Sequence, residues 1–83
     1  MICFSYQAWE DYIYWSKNDK KILKKINELI KDILRHPFTG LGKPEPLRGN
    51  YQGYWSRRIN KEHRLVYKYE DEKLYIASCR YHY

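Results

Sequence analysis

The sequence predicts a single α+β domain in which two N-terminal helices pack on a small antiparallel sheet. In the first half of the chain, apolar residues recur at three- and four-residue spacing, which is typical of amphipathic helices. In the second half, apolar and polar residues alternate in three short segments separated by turn residues, which is typical of antiparallel strands covered on one face. With 83 residues there is room for one small core, so we expect one domain over residues 1–83.

The N-terminal part is predicted to hold a short strand and a helix. Residues 2–4 are apolar and form a candidate first strand. Over residues 7–16, aromatic and apolar side chains fall at helical spacing, and two acidic residues lie early, where the helix dipole favours negative charge. Asn18 and Asp19 then indicate a break and the N-cap of a second helix.

The second predicted helix, over residues 20–35, has the clearest pattern in the sequence. Pro37 ends it, because proline cannot continue a helix. One face carries five lysines, which either face solvent or contact a phosphate backbone. The other face can cover the sheet, and its apolar stripe consists of Ile22, Leu23, Ile26, Leu29, Ile30, Ile33 and Leu34.

The C-terminal half is predicted to form three antiparallel strands after a loop. Residues 39–47 have the glycine and proline content of a loop. Turn residues at 60–62 and 70–73 then separate the strands, which are predicted at 54–59, 63–69 and 74–83.

The first hairpin fixes a testable register. A three-residue loop would place Arg58 directly opposite Arg64, although like charges in that arrangement destabilise a sheet. The pair is tolerated more readily if an anion lies between the two guanidinium groups; the alternative is that both point into solvent. The same register places four side chains on the opposite, buried face: Trp55, Ile59, Leu65 and Tyr67.

The charge balance favours a polyanionic partner. Sixteen Lys and Arg against ten Asp and Glu give a net charge of +6, which suits nucleic acid, a membrane surface or an acidic protein. No apolar run approaches the roughly 20 residues of a membrane span, and the N-terminus does not read as a signal peptide, so a cytoplasmic location without membrane contact is predicted. Cys3 and Cys79 are too few for a zinc site or a disulfide scaffold, so we expect free thiols and neither metal nor cofactor.

Two residues are candidates for acid–base chemistry. Glu45 lies between two prolines that restrict the backbone, so its carboxylate could be a stiffly held general base; the alternative is an incidental acid in a rigid loop. His82 lies beside the C-terminus, where an imidazole could donate a proton; the alternative is a fraying tail. Of the other histidines, His36 is predicted to cap a helix and His63 to face a turn without a role.

These candidates can be combined into one reaction, the cleavage of RNA by its own 2′-hydroxyl. That reaction needs a base at the 2′-oxygen, an acid at the leaving 5′-oxygen and positive charge on the phosphorane between them. Glu45 would be the base and His82 the acid. Arg64, together with either Arg58 or Arg48, would supply the charge, and Tyr83 and Tyr81 would stack on the bases and align the phosphate.

Two motifs in the chain are specific in combination, although either alone is weaker: Gly-Lys-Pro-Glu-Pro-Leu at 42–47 and Cys-Arg-Tyr-His-Tyr at 79–83. Together with residues 25–32, 54–59 and 62–67, they closely resemble the Txe/YoeB family, toxins of bacterial type II toxin–antitoxin modules within the RelE-like group. The resemblance implies a RelE-like, microbial ribonuclease-type fold with a twisted sheet. It also implies a metal-independent endonuclease that cleaves mRNA in the A site of a translating ribosome and so inhibits translation.

The resemblance assigns roles residue by residue. By motif match, Glu45 takes the general-base position of the family and His82 its general-acid position. Arg64 falls at the phosphate-stabilising arginine, and Tyr83 at the terminal tyrosine that orients the substrate. Arg58 and Arg48 match further cationic contacts. Arg48 stands where the family is expected to have a lysine.

The resemblance also implies partners. A cognate antitoxin would fold an acidic, disordered C-terminal segment onto the toxin, which suits the +6 charge. Ribosome and mRNA would be the working partners, a toxin homodimer a further one, and operator DNA would be bound only through the antitoxin complex. The alternative function is a basic RNA- or DNA-binding module, or an autorepressor component, without nuclease activity. The gyrase-poisoning branch of the same fold lacks residues equivalent to Glu45, Arg64 and His82, so the presence of all three here argues against that function.

Overall fold

Two helices lie against one face of a five-stranded sheet in the computed structural model, which describes residues 1–81. His82 and Tyr83 lie outside the described residues. In chain order the elements are β1 (Ile2–Phe4), α1 (Tyr6–Asn18), α2 (Lys20–Arg35), β2 (Glu45–Pro46), a 3₁₀ turn (Gly49–Tyr51), β3 (Trp55–Arg58), β4 (Arg64–Glu70) and β5 (Lys73–Ser78).

Side-chain caps define where the helices begin. Ser5 accepts a hydrogen bond from the Ala8 amide at 3.0 Å at the start of α1, which is slightly longer at both ends than predicted. Asp19 accepts from two amides at the start of α2, so the predicted N-cap is confirmed. The predicted bounds of α2 are also confirmed, and His36 lies at its C-cap.

The sheet is mixed, which corrects the prediction of a purely antiparallel one. The strand order is β1-β5-β4-β3-β2, and β1 runs parallel to β5 while the other pairs are antiparallel. A parallel pair needs a long crossover, which the helices and the other strands supply here. The segment 45–46, predicted as loop, pairs with β3 as an edge strand, where proline is tolerated because no neighbour needs its missing amide. The last strand ends at Ser78, before its predicted end at residue 83.

The predicted register of the first hairpin is confirmed. Arg58 lies opposite Arg64, and Trp55 lies opposite Tyr67. The apolar stripe of α2 packs on the inner face of the sheet except for Leu34, which is exposed. The core that results includes Ile26, Leu29, Ile33, Leu65, Tyr67, Leu74 and Ile76. We call the opposite side of the sheet the outer face; Glu45, Ser56, Arg58, Arg64, Val66 and Lys68 lie on it, because side chains alternate along a strand.

The inner face also holds Arg57, which was left out of the predicted buried set. Its side chain is fully buried, and all five of its N–H donors are satisfied. Nη1 donates to Asp32 Oδ2 at 2.6 Å and Nε donates to the Tyr67 hydroxyl at 3.1 Å. The remaining donors reach three backbone carbonyls, those of His36, Thr39 and Leu41. Arg57 therefore fastens the loop after α2 to the sheet.

Candidate active site

The outer face brings together three of the predicted site residues. Glu45 lies opposite Ser56, which is two residues from Arg58 on the same face of β3, and Arg58 lies opposite Arg64. Residues two apart on a strand are about 6.6 Å apart, so the carboxylate and the arginine pair occupy adjacent rows of the sheet. Glu45 and Arg58 are exposed, and Arg64 is half-buried.

The arginine pair keeps its positive charge. Within residues 1–81 the ion pairs join Arg57 to Asp32 and Lys68 to Glu70, so no carboxylate there neutralises Arg58 or Arg64. Arg64 Nη1 donates to the Asn60 carbonyl at 2.8 Å and to the His63 carbonyl at 3.2 Å, which holds its guanidinium at the hairpin turn. A pair of this kind suits an anion such as a phosphodiester.

A glycine fixes the loop that carries Glu45. The Gly42 carbonyl accepts from the Arg58 amide at 2.7 Å, and Gly42 has a φ of +78° that other residues rarely adopt. A Cβ at this position would lie 3.0 Å from the Arg58 carbonyl and 3.0 Å from a Leu29 methyl. The close approach requires glycine and joins the segment before Glu45 to the strand that carries Arg58.

The structure separates Arg48 from the arginine pair. The Leu47 amide donates to the Tyr54 carbonyl, which extends the pairing of β2 with β3 away from Arg58. Arg48 follows as the exposed residue before the 3₁₀ turn, so Glu45 lies between it and the pair. Any contact that Arg48 makes to a substrate would therefore be on the other side of Glu45.

The chain returns to the site through residues 79–81. The Cys79 amide donates to Asp11 Oδ2 at 2.9 Å, and Trp15 Nε1 donates to the Cys79 carbonyl at 2.8 Å. The Tyr81 carbonyl then accepts from the Arg64 amide at 3.1 Å, which places the Tyr81 backbone beside the arginine pair. The Tyr81 side chain is exposed, as a stacking residue must be. The roles of His82 and Tyr83 stay predictions, because both residues lie outside the described range.

His63 has a structural role that sequence reasoning missed. Its Nδ1 accepts a 2.7 Å hydrogen bond from the Tyr81 amide, and its ring lies edge-on to Trp15 with 4.8 Å between centroids. The bond requires that Nδ1 be the unprotonated nitrogen. In the sequence, the position after a hairpin loop gave no signal of this contact, because the partner lies 18 residues away.

We expect His63→Phe to loosen the C-terminal segment while leaving the core intact. Phenylalanine keeps the ring against Trp15 but cannot accept the Tyr81 N–H bond, whose net worth of about 1 kcal/mol corresponds to roughly fivefold faster exchange of that amide. Hydrogen exchange followed by NMR would measure it. His63→Asn is the matched control, because its carbonyl oxygen can replace Nδ1 as an acceptor. An unchanged exchange rate in the phenylalanine variant would contradict the anchoring role.

The buried cysteine, Cys79, does not add a nucleophile to the site. Both cysteines are free thiols, as predicted, and Cys79 is fully buried. Burial, with a smaller contribution from the nearby Asp11 carboxylate, raises the pKa of the Cys79 thiol to about 12. Because the thiolate is the reactive form, Cys79 is inert near neutral pH.

Two further observations bear on the predicted partners. The described residues contain no cluster of three or more His, Cys, Asp or Glu side chains that could hold a metal ion. Neither α1 nor α2 is long and apolar enough to span a bilayer, and residues 1–81 include no other helix that is.

Comparison with known proteins gives one consistent result. The family profile for YoeB-like toxins of bacterial type II toxin–antitoxin systems matches residues 4–83. Toxin YoeB of Escherichia coli K12 is 61% identical over 82 residues, which are 99% of this chain and 98% of that protein. A heterotetrameric YoeB–YefM toxin–antitoxin complex from Staphylococcus aureus contains a chain with a TM-score of 0.94 and 60% identity, covering 100% of this chain and 97% of that one. The YoeB dimer from the same species has a TM-score of 0.93 and 60% identity, covering 99% and 95%.

Proposed function

The chain belongs to the YoeB-like toxins of bacterial type II toxin–antitoxin systems, and we propose that it is a ribosome-dependent, metal-independent mRNA endonuclease that inhibits translation. The observation that carries the proposal is the register of the outer face, where Glu45 lies one row from the opposed Arg58 and Arg64. A carboxylate beside two guanidinium groups that no carboxylate of residues 1–81 neutralises suits proton removal at a phosphodiester.

The proposed reaction is an in-line attack within the RNA itself. Glu45 takes the proton from the 2′-hydroxyl, the 2′-oxygen bonds to phosphorus, and the bond from phosphorus to the 5′-oxygen breaks. His82 gives a proton to that leaving oxygen, so the products are a 2′,3′-cyclic phosphate and a 5′-hydroxyl. Arg64 and Arg58 stabilise the negative charge that the phosphorane gains.

The remaining proposed site residues hold the substrate. Tyr83 orients the scissile nucleotide, and Tyr81, exposed beside Arg64, stacks on a base. Arg48 contacts the strand on the far side of Glu45, where its guanidinium can bind a phosphate with two hydrogen bonds. All of the protein groups that take part in this proposed reaction are side chains.

Ribosome dependence has a physical reason in the openness of the site. Glu45 and Arg58 are exposed on a sheet surface, which offers a flexible strand little to hold its reacting oxygen and phosphorus in line. Proximity and orientation can contribute several powers of ten to a rate, so a ribosome that holds the mRNA would supply what the outer face lacks.

We expect mRNA on programmed ribosomes to be cleaved at least about 100-fold faster than the same mRNA in free solution, because orientation is supplied by the ribosome. Mapping the 3′ ends of the products on ribosomes with a defined codon in the A site would measure it. Comparable cleavage of naked RNA would contradict ribosome dependence. RNA of unchanged length in both conditions, with salt-sensitive binding, would instead support the basic binding module.

The partners are proposed on the same basis. Solved relatives include a YoeB–YefM complex and a YoeB dimer. We expect this toxin to bind a cognate antitoxin through an acidic, disordered segment, since its net charge of +6 would speed that association. It would also form a homodimer, reach operator DNA only through the antitoxin complex, and act in the cytoplasm.

A further inference from the structure

A row of two tyrosines and one lysine crosses the outer face beside the proposed site. Lys68 on β4 lies opposite Tyr75 on β5. On the other side of β4, Trp55 lies opposite Tyr67, so Tyr54, the residue before Trp55, lies next to Lys68. Lys68 Nζ lies 5.3 Å from the centroid of the Tyr54 ring and 5.2 Å from that of Tyr75. We call these three residues the Tyr–Lys–Tyr row.

The Tyr–Lys–Tyr row is continuous with the proposed catalytic residues. Tyr54 is two residues from Ser56, which lies opposite Glu45, so one strand repeat of about 6.6 Å separates the row from the Glu45 row. Lys68 is four residues from Arg64 on the same face of β4, a separation of about 13 Å. A single RNA strand crossing the sheet from the arginine pair past Glu45 would therefore reach the row within a few nucleotides.

The three half-buried residues of the row line a cleft that a ligand can enter. The cleft has a volume of about 220 Å³, with Tyr54, Lys68 and Tyr75 among its lining residues and the end of β1 along one side. Lys68 Nζ is 3.6 Å from a Glu70 carboxylate oxygen, and the two side chains are 30% and 58% exposed. Solvent partly screens an ion pair of this length in which one side chain is exposed and the other half-buried, so Lys68 can still attract an anion.

We propose that the Tyr–Lys–Tyr row is a nucleobase-stacking subsite for the single-stranded RNA substrate, with Lys68 contacting a phosphate of the same strand; this inference rests on the proposed function. Aromatic rings with an interleaved cation are the combination that binds single strands without strict sequence preference. An acidic peptide would use the lysine but has no need of two rings, so the tyrosines favour RNA as the occupant.

Equilibrium binding of an RNA that cannot be cleaved tests the subsite. The probe is a fluorescent 2′-O-methyl oligouridine hexamer, which lacks the attacking hydroxyl, and the comparison is an abasic strand of equal length and charge. We expect Tyr75→Leu to weaken hexamer binding about tenfold, the typical loss for one stacked base, and to leave abasic-strand binding unchanged. Tyr75→Phe keeps the ring and should bind within about twofold of the unsubstituted protein.

Two further variants separate stacking from charge. Tyr54→Leu, at the other end of the row, should repeat the selective loss, so the test survives if the Tyr75 variant is unstable. Lys68→Gln should weaken both strands alike and reduce the salt dependence of binding by about one phosphate contact. Tyr6→Leu is the matched control, because Tyr6 is exposed on α1 and should not affect either strand.

Several results would overturn the inference without touching the proposed function. These are equal hexamer binding by the Tyr75→Leu, Tyr54→Leu and unsubstituted proteins, equal losses for the hexamer and the abasic strand, or no measurable hexamer binding by the unsubstituted protein at low salt. The proposed function is decided separately, by whether the unsubstituted toxin cleaves mRNA on ribosomes. A toxin that cleaves normally but shows one of these binding results would retain its function and lose the subsite.

Discussion

Replacing Arg57 with methionine is expected to lower the free energy of unfolding by about 3–5 kcal/mol, because it removes the fully buried partner of an ion pair with the partly exposed Asp32, together with five hydrogen bonds. The same replacement at Arg58, the next residue along the strand but exposed on the outer face, should change it by no more than about 0.5 kcal/mol. Methionine would fill much of the volume of Arg57. It would remove one of the two donors of the Asp32 carboxylate and leave three loop carbonyls without their side-chain donor.

Urea unfolding of the two methionine variants at neutral pH measures this difference. Arg57→Lys should fall between Arg57→Met and the unsubstituted protein, because lysine keeps the charge but cannot present five donors in a fixed fork. Equal stability of the Arg57→Met and Arg58→Met proteins would show that the buried network contributes little. An Arg57→Met protein with normal stability but a mobile loop at 36–41 would show that the network holds the loop in place but contributes little to the free energy of unfolding.

The Arg57 network should also make stability depend on pH in the acid range. The hydrogen bond from the Leu41 amide, followed by that from Arg57, lowers the pKa of Asp32 from its ordinary value of 3.8. A lowered folded-state pKa stabilises the fold above the unfolded-state value, and this stability is lost as the pH falls through the folded-state pKa. The stability difference between the Arg57→Met and unsubstituted proteins should therefore narrow as the pH falls below about 3.8. A stability difference that stays constant with pH would contradict the contribution of Arg57 to the lowered pKa of Asp32.

Local patterns predicted most of the elements because the relevant forces are local. The bounds of α2 follow from its apolar stripe, its Asp19 cap and Pro37, all within or beside the helix. The hairpin register follows from a short turn, and it alone places Arg58 against Arg64. The flanking prolines and then the family resemblance suggested the proposed role of Glu45, and the pairing of Glu45 with Ser56 places this residue one row from the arginines.

The features that the sequence did not predict depend on contacts between distant parts of the chain. Strict alternation places Arg57 on the inner face, but a guanidinium is buried only where its donors are paired, and its partners lie far along the chain in the loop after α2. The parallel pairing of β1 with β5 joins the two ends of the chain. No tight turn connects such strands, so the sequence contains no local signal that predicts the pair. His63 is the third case, because its hydrogen bond with Tyr81 exists only once β5 has returned the chain to β4.

Replacing Glu45 with glutamine, or His82 with glutamine, is expected to slow mRNA cleavage on ribosomes by about 10²–10⁴-fold, the usual contribution of a positioned acid or base. Glutamine keeps the size and polarity of glutamate but cannot accept the 2′-hydroxyl proton. Glu72→Gln, in the exposed turn between β4 and β5, and His36→Gln, at the end of α2, are matched controls that should cleave normally. Thermal unfolding should show that all four variants fold. Full cleavage by either site variant would contradict its role.

A change in the leaving group separates the two roles. An mRNA with sulfur in place of the scissile 5′-oxygen releases a thiolate, which leaves readily without a proton because a thiol is far more acidic than an alcohol. The His82→Gln toxin should then cleave this substrate nearly as fast as the unsubstituted toxin, within about tenfold, since the acid is no longer needed. The Glu45→Gln toxin should stay slow, because its 2′-hydroxyl must still lose a proton. If sulfur instead rescued Glu45→Gln and left His82→Gln slow, the assignments of acid and base would be exchanged.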